Sequence, residues 1–327
     1  MKKSIKRFLF IVTIIIIFFF VCNVIPPKKV VEHNPFLSNG LPMVAAHRGG
    51  GVSNPENTLK AFKWCVDTAG VEILEFDLYL TKDEYLVINH DKTINRTSDV
   101  EVITNSTDDY FIKDHTLDEL KNFNLGYNFK KDNEYPYRDL VKSDDVNRKE
   151  VLEKNDLSIV TLDELFGTFY EEHKDLLFII EIKDKDERGK QAAKLFYETL
   201  VNKYPDYLNR VVASSFNKEV EASFRENYPS LYRGASVESS ICFVATEYLK
   251  VNIFDPSDFA CLQIPMEEYG INLTSKAIIA RAHRRGMAVQ YWTINDESDM
   301  RTLIELGCDA IMTDNPELLI KVLEEYK

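Results

Sequence analysis

Three acidic side chains on two apolar segments are the first residues whose types and spacing suggest chemistry. Glu75 and Asp77 lie two residues apart in a strand-like segment, so that both point to one face. Glu181 ends a second apolar run, and Lys183 follows it on the same face. Carboxylates that share a buried face repel each other unless a cation or strong hydrogen-bond donors lie between them, and such oxygen ligands suit Mg²⁺ or Ca²⁺. Solvated charges or ion pairs explain any one of the three residues more easily than all of them together.

Two histidines add candidates for proton transfer. His47 begins the tripeptide His47-Arg48-Gly49 at the end of a predicted strand, and His90 closes a second, shorter one. Because an imidazole titrates near neutral pH, two histidines beside a metal site can act as general base and general acid. We assign no role to the other four histidines, which are His33, His115, His173 and His283.

The elements that must position these side chains form an alternating pattern. From residue 43 onward, β-rich runs alternate with helical stretches, as expected for βα units around a parallel sheet. The predicted strands cover residues 43–48, 73–80, 177–183, 211–216, 231–237, 260–265, 288–294 and 310–313. Helical patterns cover residues 58–69, 188–204, 218–226, 275–285, 297–306 and 316–325. Eight strands in this length predict a (β/α)8 TIM barrel, with the active site at the carboxyl ends of the strands. A doubly wound open sheet is the alternative.

One interval breaks the alternation. Residues 81–176 separate the second and third of these strands, which is far more than a βα loop needs. We predict a small insertion at about residues 92–160, preceded by an extra strand at 85–89, and a solvated, irregular stretch at 127–156. In a barrel, an insertion at this point is expected to rise from the rim that carries the active site.

The composition excludes some classes of partner. The chain of 327 residues has a formal net charge of −13, which argues against long-range attraction to nucleic acid or to anionic lipid. Any anionic substrate would therefore need local positive charge at its binding site. The five cysteines lie far apart without metal-ligand spacing, so they predict neither a disulfide framework nor a zinc site.

Residues 1–25 predict a membrane anchor or a signal segment. A nearly unbroken apolar run at residues 8–25 follows four basic residues and approaches the length of a transmembrane span. No small-residue cleavage site ends the run, which favours an uncleaved anchor, whereas cleavage would give a secreted protein. The basic amino end predicts a catalytic domain outside the cytoplasm. The low cysteine content and the composition rich in Lys, Asn and Ile are typical of a protein on a bacterial cell membrane. Residues 26–42 are then a linker, and residues 43–327 form the barrel.

Seven short motifs resemble, in their order, the motif series of the glycerophosphodiester phosphodiesterase family. They are His47-Arg48-Gly49, Pro55-Glu56-Asn57-Thr58, Glu75-Phe76-Asp77, His90-Asp91, Glu181-Ile182-Lys183, Trp292-Thr293-Ile294-Asn295 and Thr313-Asp314-Asn315-Pro316. The resemblance extends from residue 43 to the carboxyl terminus. It implies a TIM barrel with a small insertion after the second strand, in agreement with the interval noted above.

The resemblance also implies the central catalytic roles. It makes Glu75, Asp77 and Glu181 the ligands of a divalent cation, Mg²⁺ or Ca²⁺. It makes His47 and His90 the general acid and general base, in an order that the sequence leaves open.

Further residues of these motifs are candidates for substrate binding and support. Arg48 and Lys183 are expected to hold phosphate oxygens. Trp292 is either an apolar wall for the glycerol group or a core aromatic residue. Glu56 and Asn57 open the first helix and are expected to orient the rim, although a helix cap explains Asn57 nearly as well.

The implied reaction is metal-dependent hydrolysis of a glycerophosphodiester to glycerol 3-phosphate and an alcohol. Water or the neighbouring glycerol hydroxyl is the nucleophile. Expected substrates are deacylated phospholipid headgroups, lysophospholipids or glycerol-phosphate polymers. One alternative is a barrel phosphodiesterase of the phospholipase D or C type that acts on lysophospholipid or sphingolipid headgroups. Another is a catalytically inactive membrane-anchored binding protein, which is expected to lack an acid, a base or a ligand, whereas here every candidate is present.

Overall fold

The computed structural model describes residues 2–24 and 28–327. The junction between the predicted anchor and the predicted linker, residues 25–27, lies outside the described residues. The strands are β1 (Met43–His47), β2 (Ile73–Leu80), β3 (Leu86–Ile88), β4 (Val160–Thr161), β5 (Leu177–Ile182), β6 (Val211–Ser214), β7 (Tyr232–Arg233), β8 (Cys261–Ile264), β9 (Glu267–Glu268), β10 (Ile271–Asn272), β11 (Ala288–Tyr291) and β12 (Ala310–Thr313).

Apart from the N-terminal α1, the helices form the outer layer of the barrel and part of the insertion. They are α1 (Lys2–Val24), α2 (Leu59–Lys63), α3 (Val100–Thr104), α4 (Leu117–Leu120), α5 (Arg148–Lys154), α6 (Leu162–Phe169), α7 (Asp186–Lys203), α8 (Lys218–Asn227), α9 (Val237–Tyr248), α10 (Lys276–Arg284), α11 (Glu297–Leu306) and α12 (Pro316–Glu324). A π-helical segment, Trp64–Ala69, continues α2, and short 3-10 turns lie at Ile112–Asp114, Pro205–Tyr207 and Asn252–Phe254.

Eight parallel strands form a nearly closed barrel. Their order is β7-β6-β5-β2-β1-β12-β11-β8, with parallel pairing between each pair of neighbours. A parallel bridge between Gly234 and Cys261 joins β7 to β8 and completes the circle. The predicted TIM barrel is therefore confirmed, and the doubly wound open sheet is wrong.

The alternation of side chains on β2 explains how polar residues reach the interior. Leu74 and Phe76 belong to the large core between the barrel and its helices, whereas Ile73 belongs to the core inside the barrel. Residues two apart on a strand share a face, so Glu75 and Asp77 continue the inward face that Ile73 begins. The same strand thus builds the floor of the barrel and places two carboxylates above it.

The segment predicted as a linker packs on the amino end of the barrel. Phe36 is fully buried and belongs to the core inside the barrel. The side-chain amide of Asn34 donates hydrogen bonds to the carbonyl oxygens of Ala260 (2.8 Å) and Gly286 (3.0 Å). Residues 28–42 therefore cover the end of the barrel opposite the carboxyl rim.

The insertion has a core of its own. The predicted extra strand is present as β3, which pairs antiparallel with β2 and with β4. Apolar side chains such as Val100, Leu120 and Ile159 form a separate buried cluster. The prediction of an irregular, solvated stretch at 127–156 is wrong for its last part, because α5 forms there and Arg148 pairs with the buried Asp99.

The structure also differs from the sequence prediction after β7. The fifth predicted strand, residues 231–237, ends early, and α9 begins at Val237. The hydroxyl of Ser236 accepts a hydrogen bond from the backbone N–H of Ser239 (3.2 Å) and so caps this helix. Helix α9 was not predicted, and it lies on the wall of the cavity described below.

Candidate active site

Three carboxylates meet at the carboxyl ends of β2 and β5. The strand register sets His47 opposite Glu75, and Asp77 opposite Glu181. Glu75 and Asp77 are buried, and Glu181 is largely buried beside them. The barrel thus brings together the acidic residues that the spacing singled out, at the rim where this fold carries its active sites.

The positive partners of these carboxylates are few. Lys183 Nζ lies 3.0 Å from Asp77 Oδ1 and 2.8 Å from Glu181 Oε2. The backbone N–H of Arg48 donates to Glu75 Oε2 (2.9 Å), and Arg48 Nε lies 3.9 Å from Asp77 Oδ2. Asp77 Oδ2 is buried and accepts no hydrogen bond from any residue that the structure describes. The three carboxylates therefore lack donors for part of their charge.

The pKa values of the site reflect this deficit. Burial, together with the charge of Asp77, raises the pKa of Glu75 to about 8. Burial also raises the pKa of Glu181 to about 7, with Lys183 opposing the shift. Burial disfavours the charged form of Lys183, but the charges of Asp77 and Glu181 outweigh it and raise the pKa. At neutral pH the site therefore holds protons that a divalent cation can displace.

The donor set fits a hard divalent cation. Across residues 2–24 and 28–327, no three His, Cys, Asp or Glu side chains lie close enough to hold a metal as they stand. Lys183 lies between Asp77 and Glu181 in this arrangement. The unpartnered oxygen of Asp77 and the raised pKa values of Glu75 and Glu181 nevertheless mark a buried, oxygen-rich pocket in which the positive charges of Lys183 and Arg48 only partly balance three carboxylates. Such oxygen donors favour Mg²⁺ or Ca²⁺.

His47 is held by the carboxylate of Asp314, the residue that follows the last barrel strand. Its Nδ1–H donates to Asp314 Oδ1 at 2.6 Å, and Asn295 Nδ2 donates to Asp314 Oδ2 at 2.7 Å. Its Nε2 lies 3.9 Å from Glu75 Oε2. Burial opposes protonation, but the hydrogen bond to Asp314 and the charge of Glu75 outweigh it and raise the pKa of His47. The imidazole is thus fixed in orientation, with Nε2 beside the carboxylates.

His90 has a carboxylate partner as well. Its Nδ1–H donates to Asp91 Oδ1 at 2.8 Å, and Arg96 Nε donates to Asp91 Oδ2 at 2.5 Å. Two further N–H groups of Arg96 donate to the carboxylate of Glu56 at 2.7 Å each, and Glu56 Oε1 accepts from Arg48 Nη1 at 3.3 Å. Burial raises the pKa of Glu56, but its bonds to Arg96 outweigh this effect and lower it. Arg96 therefore links Asp91, which binds His90, to Glu56, which binds Arg48.

A tight turn after β1 directs Arg48 across the site. Arg48, Gly49 and Gly50 have φ values of 52°, 77° and 72°. Glycine adopts this left-handed region without strain, and a Cβ on Gly50 would come within 2.9 Å of Pro316. Gly50 thus permits the close approach of this loop to α12, and Gly49 permits its approach to Ala61 and Phe62 of α2.

Asn57 lies beside this turn, and its backbone N–H donates to the carbonyl oxygen of Arg48 (2.8 Å). The alternative explanation, that Asn57 caps the first helix, is wrong, because Thr58 is the cap and accepts a hydrogen bond from the N–H of Ala61. The amide side chain of Asn57 is buried, and neither of its polar atoms bonds to a described residue. Asn57 therefore supports the loop through its backbone, and its side chain has a donor and an acceptor to spare.

The two histidines, the three carboxylates, Arg48 and Lys183 line one cavity of about 980 Å³. Trp292 is 36% exposed and also lines it, so the reading of Trp292 as a core aromatic residue is wrong. Another part of the wall is apolar and comes from α9, the end of β8 and the residue that follows β10, with the side chains of Val244, Ile264 and Leu273. The cavity thus has one charged side and one apolar side.

Sequence reasoning missed the residues that orient the histidines. Asp314, Asn295 and Asp91 lie in motifs that were noted, but no role was assigned to them. The second ring nitrogen of a catalytic imidazole usually has a hydrogen-bond partner. A search for carboxylates near each histidine would therefore have found Asp91, which directly follows His90 in the sequence. Arg96 lies in the insertion and carried no such signal.

Asp314 provides a test of histidine positioning. Replacing Asp314 with asparagine is expected to lower kcat by roughly 10- to 100-fold, because Nδ1 of His47 loses its anionic acceptor. Since Asp314 contributes to the raised pKa of His47, the limb of the pH profile that His47 controls is expected to move to lower pH. The kcat of the variant between pH 5 and 9 checks this. A reduced kcat with an unmoved pH limb would assign Asp314 a structural role only.

Comparisons with known proteins agree with this geometry. The sequence model of the glycerophosphoryl diester phosphodiesterase family matches residues 47–318. A glycerophosphodiester phosphodiesterase of Caldanaerobacter subterraneus subsp. tengcongensis is 29% identical over 86% of this chain and 98% of its own length. A lysophospholipase D of Rattus norvegicus is 26% identical over 85% of each chain. The structure of an Oleispira antarctica phosphodiesterase in complex with the product sn-glycerol-3-phosphate has 25% identity and a TM-score of 0.63, covering 87% of this chain and 97% of that one. This chain therefore belongs to the glycerophosphoryl diester phosphodiesterase family and is a phosphodiesterase.

Proposed function

We propose that the protein hydrolyses glycerophosphodiesters to glycerol 3-phosphate and an alcohol, with a divalent cation, Mg²⁺ or Ca²⁺, and with two histidines as acid and base. One observation carries the proposal. His47 and His90, each bonded to a carboxylate through Nδ1, line the same cavity as three carboxylates and two basic side chains. The relatives named above support the substrate class.

Glu75, Asp77 and Glu181 are the residues that would hold the cation. A bound cation supplies positive charge that polarises the phosphoryl group and favours attack on it. Arg48 and Lys183 would bind the remaining phosphate oxygens. Together these groups give the local positive potential that a chain of net charge −13 lacks.

The histidines divide the proton transfers. One imidazole removes a proton from the attacking oxygen, which belongs to water or to the neighbouring glycerol hydroxyl. As the new P–O bond forms and the bond to the alcohol breaks, the other imidazole gives a proton to the leaving oxygen. Attack by the glycerol hydroxyl would give a cyclic phosphate, which water then opens in a second step with the two roles exchanged. Asp314 and Asp91 hold the two rings in the orientation that these transfers need.

The apolar wall of the cavity favours a second candidate substrate. A deacylated headgroup or a glycerol-phosphate polymer is polar, whereas Val244, Ile264 and Leu273 offer contact to a hydrocarbon chain. Lysophospholipids carry one acyl chain beside the phosphodiester, and the rat relative is named a lysophospholipase D. Their hydrolysis would release the headgroup alcohol and an acylated glycerol phosphate through the same proton transfers.

The N-terminal helix gives the proposed location. The stretch Lys3–Cys22 of α1 is long and apolar enough to cross a membrane, a property that signal sequences share. We infer an uncleaved anchor with its basic amino end in the cytoplasm and the barrel outside. Edman sequencing or mass spectrometry of the mature protein tests this inference, because cleavage would remove residues 1–25.

The activity is tested on the full chain in detergent micelles or nanodiscs. Glycerophosphocholine, a glycerol-phosphate polymer and lysophosphatidylcholine are compared, with chelator and then with added Mg²⁺ or Ca²⁺. We expect chelator to lower the rate by roughly 100-fold or more, because a catalytic cation contributes several kcal/mol, and added cation to restore it. Hydrolysis that persists unchanged in chelator would contradict the metal. No release from any of the three, with the cation bound, would contradict the substrate class.

A further inference from the structure

Exposed apolar side chains gather beside the mouth of the cavity. In the part of the chain that the structure describes, Tyr269 is 90% exposed, Leu249 65% and Phe254 60%. Together with three neighbours they form a surface that we call the docking surface. It consists of Ile241, Tyr248, Leu249, Ile253, Phe254 and Tyr269. Single exposed apolar residues are common on proteins, but a contiguous group of this kind marks an interaction site.

The docking surface is structurally defined. Tyr248 Oη donates a hydrogen bond to the carbonyl oxygen of Asn272 (2.7 Å), which ties α9 to the β9–β10 hairpin. Tyr269 and Gly270 form the turn of this hairpin, with φ values of 50° and 74°. Four of the six side chains also line the cavity at its apolar side, so the surface continues from the active site to the exterior.

The N-terminal helix meets the docking surface at Phe18. The rings of Phe18 and Phe254 stack with centroids 6.2 Å apart, and Cys22, one turn further along α1, is buried. Phe18 lies six residues before the end of α1 at Val24, which corresponds to roughly 9 Å along a helix. If α1 spans a bilayer, Phe18 lies inside the apolar stretch Lys3–Cys22, roughly 6 Å from its outer end. The contact with Phe254 then falls within the outer hydrocarbon layer, at a depth that interfacial apolar groups reach. The docking surface therefore lies at the outer membrane boundary and extends into the hydrocarbon.

The charges around the surface indicate which lipids it suits. Glu267 and Glu268 are exposed next to Tyr269, and the chain as a whole is acidic. Lys218 is paired with Glu238, and Lys250 with Glu247. This surface therefore offers apolar and aromatic contact without an excess of positive charge, which suits zwitterionic rather than anionic headgroups. Tyrosine side chains favour such an interface because their rings are apolar and their hydroxyls are polar.

We infer that the docking surface rests on the zwitterionic outer surface of the membrane that α1 spans, so that the cavity opens toward the lipid. This inference rests on the proposed anchor and is independent of the proposed hydrolysis. An active site that faces the membrane can take substrate from the lipid surface without full transfer through water. The anchor alone would only keep the enzyme nearby, whereas docking fixes its orientation.

The test measures the environment of single residues in the full chain. The protein is reconstituted in phosphatidylcholine nanodiscs after Cys242, the one cysteine that is not buried, is replaced with serine. An environment-sensitive fluorophore is attached to Leu249→Cys or Tyr269→Cys. The matched control is Val146→Cys, which is fully exposed in the insertion. Lipids with a nitroxide in the headgroup region serve as quencher.

We expect the labels at 249 and 269 to emit at shorter wavelength and to be quenched about twofold or more, since docked apolar groups reach roughly 5–10 Å into the lipid boundary. The label at 146 is expected to stay aqueous and unquenched. When Ile253→Glu and Phe254→Glu are added to the chain labelled at position 269, the emission of the label is expected to return to its aqueous spectrum. Circular dichroism of this variant shows whether it is folded.

Three results would overturn the inference. Equal, aqueous spectra at positions 249, 269 and 146 would mean that the surface is free in solution. A shift to shorter wavelength without quenching by the nitroxide lipid would mean that protein, for example a second copy, covers it. Failure of the chain to co-purify with the nanodiscs would overturn the anchor and the docking together. Hydrolysis of glycerophosphocholine in micelles stands apart from all three results and tests the proposed function separately.

Discussion

Replacing His47 with asparagine is expected to lower kcat by roughly 10²- to 10⁴-fold, the range that a positioned general acid or base contributes. The asparagine amide can keep a hydrogen bond to Asp314, which accepts from His47 Nδ1 at 2.6 Å. It offers no group in place of Nε2, the nitrogen beside Glu75. The substitution therefore removes proton transfer and preserves the support of the side chain. Turnover of glycerophosphocholine at saturating substrate and cation measures the effect.

His173 is the matched control. It pairs with Asp67 at 3.2 Å and does not line the cavity, so His173→Asn is expected to retain the activity of the parent. Comparable kcat values for the two asparagine variants, within about threefold, would remove His47 from the acid–base role. Cation-induced thermal stabilisation of the His47 variant shows whether the carboxylate site remains intact.

A comparison of leaving groups assigns the acid and the base. His90→Asn is expected to lose activity as well, because His90 lines the same cavity and has its own carboxylate partner, Asp91. A p-nitrophenyl ester departs without protonation, so it restores much of the rate only to the variant that lacks the general acid. Equal restoration in both variants, or in neither, would contradict a division of roles between the two histidines.

The convergence of the acidic residues could be predicted because it follows from strand geometry. Glu75 and Asp77 share a face in any strand, whatever the fold around it. Their approach to Glu181 and His47 depends on which strands are neighbours, and successive parallel strands in a barrel are neighbours by its right-handed connections. The closure of β12 onto β1 sets Ala46 opposite Thr313, so His47 and Asp314 extend this pairing by one residue. Barrel closure was predicted, so the proximity of His47 and Asp314 could have been predicted from it.

Other parts of the site depend on tertiary packing, which the periodicity of apolar residues in the sequence does not predict. Arg96 reaches Glu56 and Asp91 from the insertion, whose path is set by its own buried cluster. Helix α9 was missed because its twelve residues are mostly apolar or β-branched and show no regular polar face. Helix α6 was missed although the sequence contains a capping box, Thr161 with Glu164, that marks its start.

Replacing Glu75 with glutamine is expected to change stability and activity in opposite directions. In the chain without a bound cation, burial and the charge of Asp77 raise the pKa of Glu75 from its ordinary 4.5 to about 8. For a carboxyl whose pKa is raised by folding, the contribution to the free energy of unfolding is fully present below about pH 4.5 and is lost as the pH rises through about 8. Glutamine stays neutral at every pH, so the free energy of unfolding of the variant does not decrease in this way as the pH rises.

In chelator, the Tm of Glu75→Gln is therefore expected to exceed that of the parent by a margin that grows from pH 5 to pH 8 and reaches roughly 5 °C. Cation is expected to raise the Tm of the parent most at high pH, where it has the fewest protons to displace, and to raise the Tm of the variant much less. Activity is expected to fall by roughly 10²- to 10⁴-fold, because the variant loses one of the three carboxylates proposed to bind the cation. Thermal scans and kcat/KM on the same preparations check both effects.

Glu221 is the matched control for burial, since Glu221 and Glu75 are each 6% exposed. Burial raises the pKa of Glu221 as well, with the Arg233 charge at 3.3 Å opposing the shift, so Glu221→Gln is expected to change stability in the same direction by a smaller margin. Because Glu221 lies outside the catalytic cavity, this variant is expected to leave activity unchanged. A Glu75 variant that is less stable than the parent at pH 8 in chelator would mean that the carboxylate stabilises the fold. The expected opposite result would mean that repulsion among Glu75, Asp77 and Glu181 is retained because it favours cation binding, at the expense of stability.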